Sequence, residues 1–98
     1  MAYSTALTAL ADPTRRAIFE RLRRRPHAVG ELARAARVTQ PAASQHLAVL
    51  RKARLVSSKH EGTRRIYKVD FAGLVSLRAY LDSFWDDVLD AYAGRGRR

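Results

Sequence analysis

The sequence predicts a mainly helical domain carrying one small β-hairpin, and three observations predict it. Apolar residues recur at intervals of three and four as far as Lys52, the spacing of helices with one buried face. From Leu55 to Val69 the pattern becomes short runs of Val, Ile and Tyr, split by Glu61-Gly62-Thr63, as in two strands joined by a turn. From Phe71 the three-and-four spacing returns and holds to about Ala93.

In chain order, residues 3–11 form a short helix with Tyr3, Leu7 and Leu10 on one stripe. Asp12 then stands as N-cap, with Pro13 at the first helical position of a second helix. Ala17, Ile18, Phe19 and Leu22 supply its buried side, and Pro26 ends it. A third helix runs from about Val29 to Ala36 and buries Leu32 and Ala36. Arg37 and Val38 make a tight turn, and Thr39 caps a fourth helix that reaches Ala53. Pro41 falls in its first turn, where a missing N–H costs little. The strands are Leu55–His60 and Arg64–Val69. Asp70 caps the last helix and Gly94 stops it. At ~1.5 Å per residue that helix spans roughly 35 Å, too long for a chain of 98 residues to cover. Residues 1–94 read as a single domain, and Arg95–Arg98 as a basic tail without fixed structure.

Composition excludes several functions. No cysteine is present, so disulfides, thiolate metal sites and thiol redox sensing are ruled out. No apolar run reaches the ~20 residues of a membrane span, and the N-terminal residues lack the pattern of a secretory signal, so a cytoplasmic location is expected. The net charge of +10 is unevenly placed: residues 1–70 hold fifteen Lys/Arg against five Asp/Glu. Residues 71–94 hold Arg78 against Asp82, Asp86, Asp87 and Asp90. A polyanion-binding body joined to a mildly acidic helix fits this distribution; a generally basic protein is the alternative. No carboxylate pair stands near a histidine and no glycine-rich phosphate loop is present, so an enzyme is not expected.

The fourth helix carries the functional signal. Ala43, Leu47 and Leu50 gather on one side, and Pro41, Ser44, Gln45, Ala48 and Lys52 on the other, with Arg51 at its edge. That outer face holds small, amide, hydroxyl and cationic side chains and no acid, which suits contact with base edges and phosphates in a DNA major groove. Gln40, Ser44 and Gln45 are the expected base readers; Thr39 and the helix N-terminus can hold a phosphate. Arg51 and Lys52 fit backbone contacts better. At the hairpin tip, Lys59, Arg64 and Arg65 surround Gly62 and fit phosphates or the minor groove, or else they blunt an exposed strand edge. His46, beside the buried stripe, reads as a packed or capping histidine. The order of elements is that of a winged helix-turn-helix domain with a helix added at each end.

The segment LADPTRRAIFERL, followed by VGELARAARVTQPAASQHLAVLRKARLVSSKHEGTRRIYKVD, resembles the ArsR family of bacterial winged-helix repressors over roughly residues 5–70. The resemblance implies a homodimer on a palindromic operator of double-stranded DNA, with the first and last helices forming the dimer interface. Tyr3, Leu7, Leu10, Leu74, Leu77, Leu81, Phe84, Trp85, Val88, Leu89 and Tyr92 would build that interface. Three features depart from family patterns. The Glu31–Ala36 helix lacks the cysteines of soft-metal sensors, and His27, His46 and His60 all lie outside the last helix, so no metal or other cofactor is expected. Arg37 and Arg54 stand where glycine often ends a helix in the family. The inducer is left open, and so is the rival reading of a protein-interaction module without specific DNA binding.

Overall fold

The computed structural model describes residues 2–94. The helices are α1 (Ala2–Ala11), α2 (Pro13–Arg21), α3 (Val29–Ala36), α4 (Gln40–Lys52) and α5 (Phe71–Ala93). The strands are β1 (His27–Ala28), β2 (Val56–Glu61) and β3 (Arg64–Val69), in the antiparallel order β1-β3-β2. The fold is a winged helix-turn-helix whose wing is the β2–β3 hairpin. The basic tail, residues 95–98, lies outside the described residues.

Each helix begins where its capping chemistry allows. Asp12 Oδ1 accepts the Arg15 backbone N–H at 2.9 Å, and Pro13 follows with its φ already helical. Thr39 Oγ1 accepts the Ala42 N–H at 3.2 Å, and Asp70 Oδ1 that of Ala72 at 3.0 Å. The C-terminal carbonyls of α1 are met from α2: Arg15 Nη1 donates to Ala9 O at 3.2 Å and Arg16 Nη1 to Leu10 O at 2.8 Å.

Both helices of the helix-turn-helix end in the same six-residue closure. After α3, Val38 N donates to Ala33 O and Arg37 N to Arg34 O. After α4, Leu55 N donates to Leu50 O and Arg54 N to Arg51 O. This pairing needs a left-handed residue between its two bonds. Arg37 and Arg54 occupy that place at φ 58° and 59°. A side chain there costs on the order of 1 kcal/mol.

The core lies where α2, α3, α4 and the sheet converge on Ile18, Leu22, Leu32, Leu47, Leu50, Leu55 and Val56. Three expectations are corrected. Of the four residues expected on the buried side of α2, Ile18, Phe19 and Leu22 are buried but Ala17 is exposed; on α3, Ala33 is buried while Ala36 is only half-buried. α2 ends at Arg21 rather than running on to Pro26. After Leu22 there is no apolar side chain to face the core, and the arginines that follow repel one another. The sheet has three strands rather than two, because His27 and Ala28 pair with Tyr67 and Ile66 along the free edge of β3.

α5 leaves the sheet over a single close approach. Asp70 N donates to Leu55 O at 2.9 Å and Gly73 N to Arg54 O at 2.8 Å, which presses the first turn of α5 onto the end of α4. Leu74 and Leu77 then pack against the core, and Tyr3 of α1 stacks on Tyr80, ring centroids 4.1 Å apart. Beyond this α5 runs free of the body, and the molecule measures 61 × 24 × 23 Å. A Cβ on Gly73 would overlap the carbonyl oxygens of Ala53 and Arg54, both backbone atoms that cannot swing aside. Gly73→Ala is expected to lower stability by about 1–3 kcal/mol in denaturant unfolding at fixed protein concentration; an unchanged midpoint would remove the close approach as a constraint.

Candidate nucleic-acid interface

α4 has two faces fixed by its packing. Ala43, Leu47 and Leu50 are fully buried, so Gln40, Pro41, Ser44 and Gln45 are turned to solvent and are exposed. The Thr39 hydroxyl oxygen caps the helix, which leaves its hydrogen to donate outward. Pro41 removes one N–H from the first turn, so the anion-holding capacity there rests on Thr39 and the Gln40 amide. His46 is half-buried beside the Leu47 stripe. Arg51 and Lys52 are exposed at the other end of the helix, roughly 18 Å from Gln40 at the helical rise. Lys52 borders a hollow with Thr5, Arg54, Gly73 and Ser76, at the junction with α1 and α5. The structure therefore separates it from the Gln40–Gln45 face.

The wing turns at Gly62, φ 62°. Its cations are held by the chain itself. Lys59 Nζ lies 3.5 Å from Glu61 Oε2, Arg65 Nη2 is 3.1 Å from His60 Nε2, and Arg64 Nη2 is 3.8 Å from Glu31 Oε1. Glu31 is the residue the sequence reading missed. Its Oε1 accepts the Ala28 N–H at 3.0 Å, which caps α3 from within the first turn. Its Oε2 lies 3.5 Å from Arg25 Nη2 and 3.7 Å from His27 Nδ1. One carboxylate thus joins the turn after α2, the start of α3 and the wing. The capping half was legible, since an acid at the third helical position is a known start signal; the reach to Arg64 was not.

Arg34 and Gln40 approach each other over Gly30, at 3.6 and 3.9 Å from the place its Cβ would take. Together with Arg64 and Arg65 they border a shallow hollow of about 280 Å³ between α3, α4 and the wing. Gln40 and the wing cations therefore share one side of the molecule.

The residues expected at a dimer interface divide into two sets. Leu10, Leu74 and Leu77 pack against the chain's own core, and Tyr3 is half-buried on Tyr80. Leu7, Leu81, Phe84, Trp85, Val88, Leu89 and Tyr92 are exposed, Trp85 at 59% and Tyr92 at 89%.

A basic face built on a winged helix-turn-helix defines a class of DNA-binding transcription regulators. The family described as bacterial regulatory proteins of the arsR family matches residues 12–58. The chain is 58% identical over 88 residues to the HTH-type transcriptional regulator Rv2034 of Mycobacterium tuberculosis, covering 90% of this chain and 82% of that one. It belongs to the ArsR family. The crystal structure of a possible transcriptional regulator for arsenical resistance superposes with TM-score 0.75 at 41% identity, over 90% of this chain and 92% of that one. The solution structure of a homodimeric winged helix-turn-helix DNA-binding domain, Mb0332 of Mycobacterium bovis, superposes with TM-score 0.71 at 28% identity, over 92% and 83% of the two chains.

Two capping carboxyls are pulled below the usual range. Asp12 is lowered first by the Arg15 N–H it accepts, and Glu31 first by the Ala28 N–H, with Arg25 and His27 adding to the effect. Folding therefore favours their ionised forms. That stabilisation is complete above their unfolded values near pH 4 and is lost as pH falls through the lowered folded values. The melting temperature of the unmodified chain should drop between roughly pH 5 and roughly pH 3, and the drop should be shallower in the Asp12→Asn, Glu31→Gln double variant. Parallel curves for the two proteins would show that these caps contribute no proton linkage.

Proposed function

We propose that the chain is a homodimeric, sequence-specific repressor that occupies a palindromic operator and blocks transcription by steric exclusion. The observation that carries this reading is the acid-free Gln40–Gln45 face, turned outward by burial of Ala43, Leu47 and Leu50 on the same helix. A helix of this kind inserted in the major groove offers Ser44, Gln45 and Gln40 to base edges, with Thr39 at a phosphate. Arg64, Arg65 and Lys59 of the wing contact backbone or minor groove alongside, while Arg51 and Lys52 serve phosphates at the far end of α4. Two copies related by a two-fold axis place their α4 helices in successive major grooves ~34 Å apart. The exposed stripe on α5, with Leu7 on α1, supplies the apolar surface that joins the copies, and the homodimeric state of the Mb0332 domain supports a two-copy assembly. Neither a metal nor another cofactor is needed for this occupancy mechanism.

Footprinting on the promoter DNA beside its own gene tests the reading; a protected palindrome is expected, and no protection at any salt concentration would overturn it. On the protected segment, Gln45→Ala and Ser44→Ala should weaken binding mainly to the operator and leave random duplex affected little. Arg64→Ala should weaken both and flatten the salt dependence by about one unit of slope per protomer. Equal losses on both duplexes for Gln45→Ala would contradict base reading by that residue. Phe84→Glu combined with Trp85→Glu should shift the chain from dimer to monomer in sedimentation and cut operator affinity at least about tenfold; a dimer that survives would place the interface elsewhere.

A further inference from the structure

The run Arg21 to Arg25, with four arginines in five residues, lies outside the face just described, yet the structure brings it to the wing. Glu31 bridges the two: Arg25 Nη2 lies 3.5 Å from one of its oxygens and Arg64 Nη2 3.8 Å from the other. Three shallow hollows run together along this side. The first, about 280 Å³, lies between Gln40, Arg34 and the wing. The second, about 260 Å³, shares Arg34 and Glu31 with it and reaches Arg21 and Arg25. The third, about 480 Å³, continues over Arg21, Arg24 and Arg25. Their walls carry Arg21, Arg24, Arg25, Arg34, Arg64 and Arg65 against Glu20 and Glu31.

We propose that this arginine strip is a second phosphate-binding surface, which holds duplex DNA outside the base-reading half-site on the wing side. The proposal rests on the reading of α4 as the helix in the major groove. Guanidinium groups match phosphate oxygens through two parallel N–H donors, and a row of them suits a ligand with regularly spaced anions. The hollows are shallow and contiguous, and arginines recur along the whole row, so they fit a charged backbone lying along them better than an acidic peptide, which needs a deep anchor pocket for affinity. Glu31 does not spoil the strip, because its charge is already matched by Arg25, Arg64 and the Ala28 N–H.

The test compares two promoter duplexes: the protected palindrome trimmed to its ends, and the same segment lengthened on each side by about eight base pairs of arbitrary sequence, roughly 27 Å of helix axis. The unmodified chain should bind the longer duplex about tenfold tighter near 0.1 M salt, with a salt dependence steeper by about two to four units. Arg21→Ala with Arg24→Ala leaves the Glu31 network in place. This variant should bind the short duplex as the unmodified chain does and gain nothing from the added length; the unchanged short-duplex affinity also reports that it is folded. Equal affinity of the unmodified chain for both duplexes, or a length gain retained in full by the variant, would overturn the strip while leaving the α4 reading intact. Failure of the unmodified chain to bind either duplex would overturn both.

Discussion

The position of α4 governs the rest of the molecule. Ala43, Leu47 and Leu50 are wholly withdrawn from solvent against α2 and the start of β2, and their burial settles the rotation of the helix about its axis. A buried leucine of this kind is worth roughly 1.5–3 kcal/mol, so a turn of the helix that exposed two of them would remove a large part of a small domain's stability. The outward direction of Gln40, Ser44 and Gln45 is a consequence of that packing. The same packing explains why the chain tolerates arginine in the left-handed turns on either side of α4. Leu55, next to Arg54, is fully buried, and its N–H closes the turn onto Leu50 O, so side-chain burial and hydrogen bonding together outweigh the strain.

Electrostatics arrange the second half of the site. The body of the protein is strongly positive, and a surface of that kind would leave the wing cations repelling those of α2. Glu31 relieves this locally. It caps α3, and it sits half-buried between Arg25 and Arg64. Surface ion pairs of this length contribute little to stability, on the order of 0–1 kcal/mol each. Their effect here is positional: they hold the wing and the turn after α2 to one side of the molecule, the side that also presents Gln40.

α5 changes its surroundings along its length. Its first turns complete the protomer, through Gly73 against the end of α4, Leu74 and Leu77 against the core, and Tyr80 against Tyr3. Its later turns carry Leu81, Phe84, Trp85, Val88 and Leu89 exposed, more apolar surface than a single chain of this size leaves open without use. In the dimer proposed above, this one helix would be divided between folding and association, which suits a domain too small to build a large core. It also couples the two, because anything that loosens the Gly73 contact tilts the whole stripe.

The helices, the caps at Asp12, Thr39 and Asp70, the hairpin with its turn at Gly62, and the two faces of α4 were all legible in the residues. Each depends on partners within about five positions, and such spacings have a fixed geometric meaning. The end of α2, the exposure of Ala17, and the use of Leu10, Leu74 and Leu77 inside the protomer were not, because they depend on what packs against each helix. The same holds for the third strand, which exists only because β3 offers a free edge to His27 and Ala28, and for Glu31, whose partner Arg64 stands far along the chain. By itself the sequence determined which segments are helical or extended and which faces are apolar or positive, since those follow from local spacing and charge. The tertiary structure alone decided which distant residues meet, because no periodicity encodes a contact between elements that the chain brings together only by folding.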